Sequence, residues 1–268
     1  MRAAKIQTVF FVNTVRLDTE GKKRLKQYTD AGILLANHTH SHPNFNDSTI
    51  QDYIADFRTA DQILAGYPNV LKWFRFPYLR EGDTAEKRDQ FRKELDSLKY
   101  FNAYITVNNY DWYMDELLQR ALKNRQDINM DALKKIYIQI ILESIDYYDE
   151  MATQVLGRSP KHILLLHEND LAAMYVGDLV TSLKAHGWKI ISPQEAYADP
   201  ISKYQFPLPL KYNPGRVGEI AKAAGWPQNK LWHEACDEAY LDEMFVKNGV
   251  FEKSPNRKKS KKISRIEN

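Results

Sequence analysis

The chain has 268 residues, 43% hydrophobic and 27% charged, which suits one large globular domain or a domain with an appendage. The net charge of +3 is uneven: residues 252–268 hold seven Lys/Arg against two Glu, so the remaining body is slightly acidic and its charge does not call for nucleic acid. A single cysteine, Cys236, excludes an internal disulfide and a cysteine-held zinc, and no apolar run reaches the ~18–20 residues of a membrane span.

In chain order, IQTVFFV (6–12) reads as a buried strand, and the polar stretch 19–30 as a helix stopped near Gly32. ILLA (33–36) is the next strand. A capping box at Ser48–Gln51 opens a helix over 48–65, because Ile50, Ile54, Phe57 and Ile63 recur at roughly helical spacing. KWFRFP (72–77) is a strand stopped by Pro77, 84–97 a charged helix, and FNAYITVN (101–108) an alternating strand. A long amphipathic helix over 131–156 ends at Gly157. HILLLH (162–167) is a strand, 171–186 a helix, and WKIIS (188–192) a further strand. Beyond Pro200 the chain is first proline-rich, then amphipathic over 229–246.

Alternating strands and helices predict an α/β protein with a parallel sheet, open or closed into a barrel, whose chemistry gathers at the C-terminal ends of the strands. The expected division is a barrel domain over 1–200, a helical appendage over 201–250, and a basic, disordered tail over 251–268.

The segment ANHTHSHP (36–43) places three of the chain's seven histidines within five residues, directly after a strand. His38 and His42, four apart, share one side of a helical turn; His38 and His40, two apart, share one face of a strand. Either pair can hold a divalent ion, and a lone polar turn is the bland alternative. His233 and Asp237, in HEACDE, have similar spacing but are expected on a solvated helix face. Glu168 and Asp170 follow His167 and border it without an assigned role.

The two histidine geometries resemble two families. His38 with His40 resembles the amidohydrolase and PHP-type phosphoesterase barrels. His38-Thr39-x-x-His42-Pro43 resembles the second motif of the polysaccharide deacetylases, the NodB-like, carbohydrate esterase family 4-type enzymes. Three further stretches match the deacetylases in order. Arg75-Phe76-Pro77-Tyr78 is similar to their RxPY motif, Asp111-Trp112 to DxxDW, and Leu165-Leu166-His167 to LLH; QTVFFVN (7–13) is similar to their second strand. The resemblance spans about residues 5–198.

This resemblance implies a distorted, incomplete (β/α) barrel and metal-dependent removal of acetyl groups from an amino-sugar polymer or related glycan. It assigns His38 and His42 as ligands of a divalent metal, most simply Zn2+, with Thr39 bracing the turn between them. His167 is the general acid, Asp111 its charge partner, and Arg75 the residue that orients the base. The Tyr78 amide faces the developing oxyanion, and Trp112 and Leu165 wall the acetyl pocket. The family's first motif, TFDD, supplies its base and its third metal ligand. It has no counterpart here, and Asn108 replaces the first Asp of the fourth motif. Three expectations compete: the start is internal to a longer, exported (periplasmic or extracellular) protein; the chain is an inactive glycan-binding homologue; or Asp18, Asp47 or Asp83 replaces the missing acids. No signal peptide is visible in MRAAKIQTVFFVNT.

Overall fold

The computed structural model describes residues 6–253 and Pro255. The basic stretch expected as a disordered tail falls, from residue 256 onward, outside the described residues.

Four parallel strands form one sheet in the order β1 (Val9–Val12), β2 (Leu34–Asn37), β3 (Val70–Phe74) and β4 (Phe101–Asn102). The β1–β2 register is regular, Val9 opposite Leu34 through Val12 opposite Asn37, whereas β2–β3 shifts register between Leu35 and Asn37. The helices α1 (Thr19–Asp30), α2 (Ile50–Leu64) and α3 (Ala85–Ser97) are the crossovers that parallel pairing demands. Together these elements are an α/β fold with an incomplete barrel. Helix α2 starts later than the expected box. Thr49, not Ser48, is the cap: its hydroxyl accepts from the Asp52 amide at 3.1 Å, and Asp52 answers in the position expected for Gln51.

The second half of the barrel departs from the predicted strands. FNAYITVN and HILLLH meet in a single parallel bridge between Val107 and Leu164. The cause is local. The Thr106 hydroxyl accepts from the Ile163 amide at 2.7 Å, taking the place of a backbone partner in the ladder. WKIIS forms no strand; Trp188 and Ile190 are spent packing against the large helical core instead.

That core is built by α4 (Asp111–Lys123), the long α5 (Met130–Leu156) and α6 (Asp170–Ala185). After α7 (Pro193–Tyr197), the helices α8 (Arg216–Ala223) and α9 (Glu238–Lys247) join it, contributing Val217, Ala221, Leu241 and Phe245. Gly157 closes α5 in the left-handed region at φ 70°, as a glycine after a long helix should. The predicted helix over 229–246 begins only at Glu238. Before it, His233 caps a 3-10 turn through the Ala235 amide, and Asp237 caps α9. HEACDE is therefore a pair of caps rather than a continuous helix face. A second core, mostly aromatic, lies between β3, α2 and α3, with Phe45, Tyr53, Phe57, Phe74 and Phe91 all fully buried.

Candidate active site

The ends of β2 and β3 and the starts of α4 and α6 bring the singled-out residues to one end of the sheet. His38 leaves β2 and donates from Nδ1 to the Arg75 carbonyl at 2.7 Å. This fixes its tautomer and leaves Nε2 as a free lone pair. Burial, reinforced by neighbouring His42, lowers its pKa to about 3, so the ring stays neutral, the form that binds a cation. The chain then turns through Thr39 at φ 70° and His42 at φ 60°. The buried Thr39 hydroxyl accepts from the His42 amide at 3.1 Å, and the Thr39 amide donates to Asn37 Oδ1 at 2.8 Å. The result is a T-shaped contact between His38 and His42 with ring centroids 4.8 Å apart, and Tyr78 covers His42 at 4.6 Å. Burial lowers the His42 pKa as well, and the charge of nearby His167 lowers it further.

His40 does not join them. Its Nδ1 is hydrogen-bonded to the Thr14 hydroxyl at 2.9 Å, and its amide donates to Asp56 at 2.7 Å. Tertiary packing thus selects the pair four apart over the pair two apart.

The second half of the site is a histidine on a buried carboxylate. Asp111 is fully buried at the first turn of α4. One of its oxygens accepts from His167 Nδ1 at 2.6 Å, and the other from the His167 amide at 2.8 Å. Asn169 donates to the same carboxylate at 3.2 Å, and Asn109 Oδ1 holds the Asp111 amide at 2.9 Å. The His167 side chain is 44% exposed, so the ring away from Asp111 remains open to solvent. Leu165 sits two residues earlier, its amide on the Val107 carbonyl at 3.1 Å. Trp112 is part-exposed and packs beside Tyr110 at 5.1 Å.

Arg75 lies where the resemblance puts it, but its partners differ. Its guanidinium donates to the Ala103 carbonyl and the Tyr197 hydroxyl, both at 3.0 Å, and stacks 4.0 Å over Phe11; among the described residues it has no carboxylate partner. The candidate replacement acids are engaged elsewhere. Asp18 caps α1, Asp47 accepts from Asn44, and Asp83 pairs with Lys87. Glu168 accepts from Tyr28 and pairs with Arg24, and Asp170 accepts from Gln119.

The two histidines suit two positions around a divalent ion. Among the described residues, however, no group of three His, Cys, Asp or Glu comes together. A catalytic zinc site takes three protein ligands, so these residues do not complete one.

Residue types alone did not reveal Asp56, Asn37, Asn109 and Asn169. A signal for two of them existed. Asn37 and Asn109 each stand two residues before a residue whose amide their side chain binds, the Asx-turn arrangement. Backbone strain also gathers here: of seven non-glycine residues with positive φ among those described, Thr39, His42 and Tyr78 lie in this site.

The family model described as polysaccharide deacetylase matches residues 1–97. No curated protein matches. Among solved structures, the chain is similar to a CE4 family pseudoenzyme from Bacillus anthracis, with 18% identity and a TM-score of 0.51 over 73% of this chain and 59% of that one. A mutant of the same pseudoenzyme with restored enzymatic activity is similar at 17% identity, TM-score 0.51, over 73% and 61%. A family 4 carbohydrate esterase from Streptomyces lividans, in complex with acetate, aligns at 18% identity and TM-score 0.47 over 73% and 84%. Over residues 1–97 the chain is similar in sequence to the polysaccharide deacetylases, and the likeness of fold extends beyond them.

Proposed function

We propose that this chain is a hydrolase of the deacetylase type that removes acetyl groups from an amino-sugar polymer or related glycan. The observation that supports this best is the His167–Asp111 pair, a part-exposed imidazole held at 2.6 Å on a buried carboxylate. With Nδ1 donated to Asp111, the opposite nitrogen of an imidazolium faces the opening and delivers its proton to the departing amine or alcohol. Asp111 balances that charge and fixes the ring. Arg75 supports the floor through Ala103 and Tyr197. The Tyr78 amide is the proposed oxyanion donor, and Trp112 and Leu165 wall the acetyl methyl.

A divalent ion, most simply Zn2+, is the proposed cofactor, with His38 and His42 as two of its ligands; since a third is lacking among the described residues, no step is derived through it. That same shortfall favours a second reading, a non-catalytic homologue that holds a glycan in the cleft. The domain division is likewise proposed: a barrel over 1–200 and a helical appendage over 201–250, packed on α5. Among the described residues no helix is long and apolar enough to cross a membrane; we propose a periplasmic or extracellular site of action.

Acetate release from an N-acetylated chitooligosaccharide, with and without added Zn2+, tests the reading. Release that His167→Ala and His38→Ala each abolish supports the hydrolase. Binding of the oligosaccharide without release supports the non-catalytic homologue.

A further inference from the structure

The start of α6 is tied along one stripe of α4. Asp111, Asp115 and Gln119 recur every four residues and so share one face of that helix. Each hydrogen-bonds to the cap or first turn of α6. Gln119 donates to Asp170 at 2.8 Å, Asp115 accepts from the Leu171 amide at 3.1 Å, and Asp111 accepts from Asn169 at 3.2 Å. Of these three ties, the last ends on the carboxylate that holds His167.

The Asn169 side chain has two tasks. Its Oδ1 accepts from the Ala172 amide at 2.8 Å and caps α6. With the oxygen committed to the cap, Nδ2 is aimed at Asp111, donating to Oδ2 at 3.2 Å and to the main-chain carbonyl at 3.4 Å. Oδ2 also accepts from the His167 amide, so Asn169 bears on the oxygen that sets the carboxylate plane, and with it the place of Oδ1 against His167 Nδ1. The surroundings of the two partners make this matter. Asp111 is wholly buried, so bulk water does not replace a donor lost there. The His167 side chain is 44% exposed, so its ring is oriented by the bond to Asp111 more than by packing.

We infer that Asn169 is a positioning residue for His167, acting through Asp111: its Nδ2–H fixes the carboxylate plane and so keeps the neutral imidazole in the tautomer with its proton on Nδ1. That is the form left when Nε2 has given up its proton to a leaving group. The catalytic consequence rests on the hydrolase reading above; the tautomer does not.

The test is a substitution that keeps the cap. Serine caps a helix about as well as asparagine, but its shorter side chain does not span to Asp111. In the full chain, labelled with 15N at histidine, imidazole nitrogen shifts are read at about pH 9, where an ordinary imidazole is neutral. The wild-type His167 ring is expected as the Nδ1–H tautomer alone, and Asn169→Ser as a mixture of both tautomers. In the same variant kcat for acetate release from an N-acetylated chitooligosaccharide is expected to fall about tenfold with KM unchanged. Asn169→Asp also keeps the cap and cannot donate, so it serves if the serine variant folds poorly, with at least as large an effect expected. Gln119→Ala loosens the same stripe without touching Asp111 and is expected to keep the wild-type tautomer and kcat. A mixture already present in the wild type, a single Nδ1–H tautomer in both Asn169 variants, the same mixing in Gln119→Ala, or an unaltered kcat in an active enzyme overturns the inference. Absence of acetate release from the wild type, with mixing confined to the Asn169 variants, sinks the hydrolase reading and leaves the inference standing.

Discussion

His167 and Asp111 are joined twice, through the ring Nδ1 at 2.6 Å and through the backbone amide at 2.8 Å, so one buried carboxylate sets both the position and the tautomer of a part-exposed imidazole. Asp111→Ala removes the acceptor of three donors at once. If the hydrolase reading holds, kcat for acetate release falls by about 10²- to 10⁴-fold with little change in KM. Stability drops by about 1–3 kcal/mol as buried donors lose their partner. Steady-state kinetics and urea unfolding measure the two effects. A variant with unaltered kcat would sink the role given to Asp111.

The histidine turn discriminates between residues two positions apart. Any Zn2+ binding by this turn is expected to be lost in both His38→Ala and His42→Ala, because each removes one of two adjacent imidazoles. His40→Ala is expected to leave binding intact and to cost about 1 kcal/mol through its lost bond to Thr14. Competition with a chromogenic chelator gives the affinities. Zn2+ binding that depends on His40 instead would restore the amidohydrolase-type pairing.

Gly21 is buried in the first turn of α1, where a Cβ would stand 2.0 Å from the Arg16 carbonyl oxygen. Helix propensity alone favours alanine there, but the backbone contact overrides it. Gly21→Ala is expected to destabilise the protein by about 1–3 kcal/mol through forced backbone movement. Arg16 ends the 3-10 turn that begins at Thr14, so the displacement reaches the residue bonded to His40. Thermal unfolding provides the check, and an unchanged or raised Tm contradicts it.

The segment carrying Lys211 and Tyr212 is anchored by a buried acid. Glu219 pairs with Arg216 at 2.9 Å and accepts from Asn213 at 2.9 Å. Burial, and then the charge of Glu81, raise its pKa from the ordinary 4.5 to about 7. The sign follows from proton counting. Between those values the folded protein holds more protons than the unfolded chain. The stabilising contribution is thus complete below about pH 4.5 and is lost as pH rises through about 7. Urea unfolding is expected to show stability falling as pH rises from about 4.5 to 8. Glu219→Gln flattens that slope; an identical slope in the variant refutes the assignment.

Much of this molecule is legible in one dimension because its causes are local. The helical periodicity of Ile50, Ile54 and Phe57 and the left-handed stop at Gly157 act within a few residues, and both appear as expected. The strand-to-helix alternation announces a parallel sheet for the same reason. The order of HTHSHP, RFPY, DW and LLH carries the resemblance to the deacetylases, and the family model matches residues 1–97.

What the tertiary structure decided involves competition between distant groups. Whether His40 or His42 stands with His38 depends on Thr14 and Asp56, which claim His40 from other elements. Whether HILLLH becomes a strand depends on Thr106, whose hydroxyl takes the amide that a ladder would need. Arg75 looks like an acid's partner in sequence, yet it rests on a carbonyl, a tyrosine hydroxyl and a phenylalanine face contributed by separate parts of the chain. The Arg80–Tyr212 stack has no sequence signature, because residues so far apart in the chain meet only when the segment before α8 folds back onto the segment after β3. Composition and periodicity fix what each segment prefers. Long-range hydrogen bonds, whose partners no local pattern names, fix which preference survives.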